Sequence, residues 1–187
     1  MSTHANYVPG PAFGAEVHKD GDHWTLIVVR ELRHAPEQVW EAITDPEHLR
    51  QWAPFDVDGS LATEGASVHL ARAGTSTPFI SPTTVKRADP PRLLEYNWGL
   101  QNLRWQLEPL AGGTRLTLWH SIDHRFICWG AAGWQICFDV LDRLLAGAPI
   151  GRMVGEPGTN TEWQRLVGEY AEQFGVTPAK FPKPQTS

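Results

Sequence analysis

The chain has 187 residues, of which 41% are hydrophobic and 20% are charged, a balance typical of a globular protein and not of a disordered one. Its formal net charge is −5 and its Lys and Arg residues are scattered. The chain therefore lacks the basic surface that binding to nucleic acid or to an anionic membrane requires, and we predict neither partner. The length suits one domain with extra segments at its ends.

The first fourteen residues contain no basic region followed by an apolar run, so we predict no secretory signal. The longest apolar stretch, 127–145, is interrupted by four polar or charged side chains and is too polar to span a bilayer. The two cysteines, Cys128 and Cys137, lie nine residues apart on a predicted helix, too far for a disulfide. We predict a cytoplasmic protein with reduced cysteines.

The chain begins with residues 1–22, which show no periodicity and are predicted to form a flexible lead-in. Residues 24–32 are rich in β-branched and aromatic side chains and predict a first strand. A helix is predicted from Pro36, which suits a first helical turn. Asp45 breaks this helix and can cap a second short one that ends near Trp52.

From Phe55 onward, almost seventy residues have the pattern of strands separated by Gly- and Pro-containing turns. The predicted strands are 55–61, 66–73, 83–89, 92–98, 102–110 and 113–123, with a longer loop at 74–82. Strands this close in sequence form an antiparallel meander.

Two helices follow the meander. A long one is predicted over 127–146, with a broad apolar stripe. A linker, 147–161, leads to a shorter amphipathic helix over 162–174. We expect its apolar stripe to pack within the chain, with a dimer face as the alternative, so monomer and homodimer both stay open.

This order of elements predicts an α+β helix-grip fold. In that fold a curved antiparallel sheet of about seven strands wraps around the long C-terminal helix, and two short helices follow strand 1. We assign residues 23–175 to a single domain that includes the extra helix at 161–174. Residues 176–187 are Pro-rich and predict a disordered tail.

The segment HAPEQVWEAITDPEHLRQW at 34–52 resembles the opening of SRPBCC domain proteins, the superfamily of START-related and birch-pollen-allergen-like proteins. Within it, the chain most resembles the branch named after the C-terminal domain of the heat-shock chaperone ATPase activator. PRLLEYNW at 91–98, GTRLTL at 113–118 and AGW at 132–134 fit the same pattern. The resemblance implies the fold more strongly than a function, because the superfamily includes lipid carriers, polyketide cyclases and hormone receptors.

Alternation along the predicted strands assigns the side chains that face the long helix. They form an aromatic wall with few polar groups, which is typical of a pocket for a small hydrophobic or aromatic ligand. The predicted ligand-binding residues are Arg72, Tyr96, Trp98, Trp105, His120, Trp134, Cys137 and Leu141.

His120 has two interpretations. It could anchor a ligand carbonyl or exchange a proton near neutral pH, or it could be a buried histidine bonded to a backbone carbonyl or to Tyr96. Likewise, Arg72 could pair with a ligand carboxylate or extend to solvent. The spacing of His120, His124 and Cys128 resembles metal ligation but crosses from a strand into a helix, so we predict no metal site and no cofactor.

Three functions remain open. The first is binding of a small hydrophobic molecule without chemistry. The second is a polyketide cyclase or aromatase that uses the same cavity; no catalytic residue can be assigned. The third is a chaperone-associated protein-interaction module, which predicts an exposed apolar or charged patch.

Overall fold

The computed structural model describes residues 7–180, apart from 76, 78 and 155–159. Its strands are β1 Ala15–Asp20, β2 His23–Leu32, β3 Phe55–Val57, β4 Ser67–Arg72, β5 Ile80–Thr84, β6 Arg87–Asp89, β7 Leu93–Trp98, β8 Gln101–Leu110 and β9 Gly113–Ser121. Its α-helices are α1 Pro36–Thr44, α2 Pro46–Trp52, α3 Ile127–Leu145 and α4 Thr161–Phe174, with a 3₁₀ turn at His124–Phe126.

The helix-grip prediction is confirmed: a large curved antiparallel sheet packs against a long C-terminal helix, and short helices follow the first long strand. The large sheet has six strands in the order β1-β2-β9-β8-β7-β6, and a second sheet has the order β3-β4-β5. We expected about seven strands in one sheet. The described chain has nine strands in two sheets, for two reasons.

The first reason is β1, which lies inside the predicted lead-in. Its six residues pair with β2, from Ala15 opposite Val28 to Asp20 opposite His23. The strand is polar and mostly exposed, so no hydrophobic alternation marks it in the sequence. Pairing with β2 across a Gly21 turn creates the strand, and the lead-in prediction is wrong for these residues. Residues 1–6 of that lead-in lie outside the described chain.

The second reason is a change of partner within the predicted strand 83–89. β5 begins at Ile80, inside the predicted loop, and pairs with β4, whereas β6 pairs with β7. The switch falls at Val85 and Lys86: the Val85 amide donates to Ala66, and the Lys86 amide donates to Glu95. Val85 therefore bonds next to β4 of the second sheet, and Lys86 bonds to β7 of the large sheet. A local pattern of side chains does not report such a change of partner.

The two short helices begin as their caps predict. Pro36 opens α1, and the Asp45 side chain accepts hydrogen bonds from the Glu47 and His48 amides at the start of α2. In α2, Trp52 is fully buried, and its indole N–H donates to the Ala42 carbonyl. This bond fixes α2 against α1 and places the Trp52 ring beneath the large sheet.

α3 is buried on two sides. Trp134 and Phe138 face the large sheet, whereas Gln135 faces α4, where it accepts a hydrogen bond of 2.5 Å from the Tyr170 hydroxyl. The apolar stripe of α4 therefore packs within the chain, against the face of α3 opposite the sheet. Across the described part of the chain, no helix combines the length and apolarity needed to cross a bilayer.

Candidate functional site

The structure brings six of the eight predicted ligand-binding residues into one core between the large sheet and α3. These residues, all at most 3% exposed, are Tyr96, Trp105, His120, Trp134, Cys137 and Leu141. Trp98 is half-buried at the edge of this core, with its ring centre 6.5 Å from that of His120. Arg72 stands apart, exposed at the end of β4. By alternation along β4, Arg72 is on the same face as Val68 and Leu70, but it lies beyond the buried part of the strand.

The centre of this core is filled by aromatic rings. The Trp105 ring makes edge-on contacts with Trp134 at 5.4 Å and with Trp52 at 6.2 Å, measured between ring centres. Phe138 lies 6.1 Å from Trp105 and 5.9 Å from Trp134. The predicted wall residues thus pack on one another, where an open cavity was expected.

Two open depressions on the described surface lie elsewhere. One is a cleft of about 440 Å³ beside Ser67, Thr84 and Lys86, and the other is a cleft of about 360 Å³ beside Arg92 and Glu108. Neither is lined by the predicted ligand-binding residues. A ligand between sheet and α3 would therefore have to displace side chains.

His120 lies at the centre of a relay of hydrogen bonds. The Trp134 indole N–H, which can only donate, donates to His120 Nδ1 across 2.9 Å. Nδ1 is therefore unprotonated, and Nε2 carries the proton that it donates to Gln101 Oε1 at 2.6 Å. Burial lowers the pKa of His120 to about 3, so the ring is neutral at physiological pH. This matches the interpretation of a buried, hydrogen-bonded histidine, with other partners than we expected.

Two further polar atoms in this core have no hydrogen bond of normal length and angle within the described chain. They are Tyr96 Oη and Trp105 Nε1, and both are buried. They are diagonal neighbours across β7 and β8, where Trp105 pairs with Leu94, two residues before Tyr96. Burial raises the pKa of Tyr96 far above its usual value, and the Trp105 indole N–H, which lies close enough to Tyr96 Oη to act as a donor to it, opposes this rise. Each orphaned group costs about 1–3 kcal/mol, and buried polar groups are nearly always paired, so these two call for an acceptor.

Three members of the core were not among our predicted site residues: Trp52, Gln101 and Phe138. Phe138 follows Trp134 by one helical turn, so helical spacing could have identified it. Gln101 shares the parity of Leu103 and therefore faces inward, but we began that strand one residue too late. Nothing in the sequence around Trp52 indicates that it reaches the rings on β8 and α3.

Neither cysteine has the properties of a nucleophile. Both are buried and unpaired, and burial raises the pKa of Cys128 to about 11 and that of Cys137 to about 12. In the described chain, no group of three or more His, Cys, Asp or Glu side chains could hold a metal ion. His120, His124 and Cys128 lie on a strand, a 3₁₀ turn and a helix, respectively.

The linker after α3 lies against the body of the protein where it is described. Ile150 is buried, and the Arg152 guanidinium forms a 2.6 Å ion pair with Asp56 in β3. The central part of the linker, 155–159, is outside the described chain, and gating by the linker stays untested.

The predicted tail begins with described residues: the Ala179 amide donates to the Arg125 carbonyl at 2.8 Å. Its remainder, 181–187, is not described.

The fold has many solved counterparts. A conserved protein of unknown function from Enterococcus faecalis, EF2215, is 15% identical, covers 92% of this chain and 94% of its own, and superposes with a TM-score of 0.66. CalU16 from Micromonospora echinospora is 21% identical, with 90% and 97% of the two chains covered and a TM-score of 0.60. DynU16, from the dynemicin biosynthetic locus, is 24% identical over 74% of this chain and 52% of its own, with a TM-score of 0.61.

At these identities the likeness shows a shared fold and no shared activity. No curated protein matches the chain. The sequence profile of one family, described as Activator of Hsp90 ATPase homolog 1-like protein, matches residues 33–146, well over half of the chain. That span runs from the loop before α1 to the end of α3 and contains the motifs of the SRPBCC resemblance. The chain belongs to the Activator of Hsp90 ATPase homolog 1-like family and has its SRPBCC fold.

Proposed function

We propose that this protein binds a small hydrophobic or aromatic molecule between the large sheet and α3. The observation that carries the proposal is the pair of orphaned donors, Tyr96 Oη and Trp105 Nε1, inside an otherwise aromatic core. A core that served only stability would gain from Phe at position 96, because the hydroxyl proton there is buried without an acceptor. The SRPBCC fold is generally ligand-binding, which supports the same function.

The edge of the core at the β7–β8 turn offers a route to this pair. Trp98 is half-buried there and contacts the Phe55 ring at 5.1 Å between centres. Just beyond it, Leu100 is fully exposed and the Phe79 side chain is 60% exposed. Phe79 lies against the turn itself: a Cβ built on Gly99 would be 3.7 Å from Phe79 Cε1. Phe79 and Leu100 therefore flank the same turn. We propose that the ligand enters past Trp98.

Binding is better supported than catalysis. A cyclase or aromatase would need a group that exchanges protons near neutral pH. His120 is the titratable side chain of the core that could do so, but both of its nitrogens bond to protein atoms and its pKa is about 3. A cyclase-like activity stays the alternative; its support is the SRPBCC fold, which this chain shares with DynU16 from a biosynthetic locus.

Native mass spectrometry of the full chain, purified without added ligand, tests the proposal. We expect a co-purified apolar molecule, or uptake of the neutral fluorophore N-phenyl-1-naphthylamine with quenching of tryptophan emission. A protein that carries no ligand and takes up neither this probe nor other small aromatic compounds would overturn the proposal. The same spectra give the oligomeric state, which stays open between monomer and homodimer. A cytoplasmic location also stays a prediction.

The proposed entrance has a test of its own. Trp98→Ala removes the half-buried ring and should speed association of the fluorophore several-fold in stopped-flow measurements. Trp119→Ala is the matched control, because Trp119 lies on the opposite face of β9 under the Arg104 guanidinium. Equal rates for the wild type and Trp98→Ala would place the entrance elsewhere.

A second candidate function is a chaperone-associated interaction, favoured by the exposed apolar side chains of Phe79, Ile80 and Leu100. The family description names activation of the Hsp90 ATPase. If this chain shares that role, it should raise the ATPase rate of purified Hsp90, and Leu100→Asp should abolish the increase. An unchanged ATPase rate at saturating protein would exclude this candidate.

A further inference from the structure

We infer that the ligand is an uncharged molecule with a carbonyl-type oxygen that accepts hydrogen bonds from both Tyr96 Oη and Trp105 Nε1. This inference rests on the proposed function and specifies the ligand class for the same site. It follows from three properties of the core: the geometry of the two donors, the occupation of the other polar groups, and the lack of a counter-charge.

The two donors suit one acceptor atom. An indole N–H can only donate, and a phenol adjacent to it can donate its own proton to the same oxygen. Tyr96 and Trp105 extend from neighbouring strands on the same face of the sheet, as diagonal partners. A carbonyl oxygen has two lone pairs and can accept both bonds at once.

The remaining polar groups near this face are already bonded. The Trp134 N–H is used by His120, and the other nitrogen of His120 bonds to Gln101. The relay therefore offers a ligand no free donor or acceptor on the ring of His120. Recognition of a polar atom then falls to the Tyr96 and Trp105 pair.

The core also lacks a group that could neutralise a charged ligand. Among the described residues, the buried polar side chains are Thr44, Ser81, Thr114, Thr117, His120 and Gln135, and none of them has a fixed charge. Arg72 is exposed, and Arg152 is paired with Asp56. Arg30, between β2 and α3, is already neutralised by Asp139. A carboxylate or ammonium would lose its hydration without gaining a counter-ion, so charged ligands are disfavoured.

Three probes of nearly equal shape test this inference: 1-tetralone, tetralin and tetralin-1-carboxylate, each titrated into the full chain at pH 7.5 by tryptophan fluorescence. We expect 1-tetralone to bind roughly tenfold or more tightly than tetralin, since two donors contribute, and the carboxylate to bind least. Tyr96→Phe should reduce the preference for the ketone several-fold and leave tetralin binding unchanged or stronger. Tyr170→Phe, a buried tyrosine on α4 with its own partners, is the control and should leave the preference intact.

The outcomes separate the inference from the function on which it rests. Equal affinities for 1-tetralone and tetralin, or a preference that survives Tyr96→Phe, would overturn the recognition of an oxygen while ligand binding stands. Tightest binding of the carboxylate would overturn the exclusion of charge. Binding of none of the three also overturns the inference, and native mass spectrometry then decides separately whether the site holds another molecule.

Discussion

The Trp134 indole donates to His120 Nδ1 across 2.9 Å, and this bond joins α3 to β9 through the core. It decides the tautomer of His120 and, through Nε2, the position of Gln101 at the start of β8. Removing the bond with Trp134→Phe should lower the free energy of unfolding by about 1–3 kcal/mol, because it leaves Nδ1 buried without a donor. Urea unfolding measures the loss. Trp119→Phe, on the outer face, should change it by less than about 0.5 kcal/mol.

The neutral state of His120 predicts an acid-dependent loss of stability. Its pKa is about 3 in the folded protein, whereas in the unfolded chain it takes the ordinary value of 6.5. Between pH 3 and pH 6.5 the unfolded chain therefore binds more protons than the folded protein. The free energy of unfolding should therefore fall as the pH drops below 6.5, by up to about 1.4 kcal/mol per pH unit from this group. His120→Gln removes that contribution, and its pH profile should be flatter than that of the wild type. Parallel profiles would contradict the assignment.

Tyr96 and Tyr170 predict opposite responses to the same substitution. Tyr96→Phe removes a buried hydroxyl without a partner and should leave stability equal or raise it by about 1 kcal/mol. Tyr170→Phe removes a hydroxyl that donates to Gln135 Oε1 at 2.5 Å, so it should destabilise by about 1–2 kcal/mol. Thermal and urea unfolding of the two variants give the comparison. Equal destabilisation would mean that Tyr96 has an internal partner.

The ion pair between Arg30 and Asp139 anchors α3 to β2, with the Arg30 guanidinium over the Phe13 ring. The pair measures 2.6 Å, its side chains are 12% and 18% exposed, and the Tyr7 hydroxyl also donates to Asp139. Asp139→Asn leaves a mostly buried guanidinium without its counter-charge and should cost about 3 kcal/mol. In a double-mutant cycle, Arg30→Met should recover part of that loss. Additive effects of the two substitutions would show that they do not interact.

The two thiols should be unreactive in the folded protein. Their raised pKa values, about 11 for Cys128 and about 12 for Cys137, leave almost no thiolate at pH 8, and both side chains are buried. We expect reaction with Ellman's reagent to be slow in buffer and rapid for two thiols in guanidinium chloride. Rapid reaction of one thiol in buffer would show that α3 opens under native conditions.

Some features of the site were predictable because they depend on local periodicity. On β9, alternation placed Leu116, Leu118 and His120 on the inward face, and the structure buries all three. Asp45 was predictable as a cap, since a carboxylate followed by Pro suits a helix start. These predictions need no knowledge of distant partners.

Other features depended on contacts between elements far apart in sequence. The partners of His120, Gln101 and Trp134, come from a neighbouring strand and from α3. Arg72 has the parity of an inward residue, yet the end of β4 extends beyond the core and exposes it. Parity indicates the side of a strand that a residue faces, and only the packed structure determines how far the covered part of that side extends.

The sequence by itself determined the fold family, the order of most elements and the aromatic character of the space between sheet and α3, because one-sided burial leaves a periodic pattern in the chain. Only the tertiary structure decided that β1 is a strand, that β5 and β6 belong to different sheets, and that the rings of Trp52, Trp105 and Trp134 fill the core. It also decided that Tyr96 and Trp105 are the unpartnered donors. Hydrogen-bond partners are selected by distances between elements that the chain brings together only when it folds.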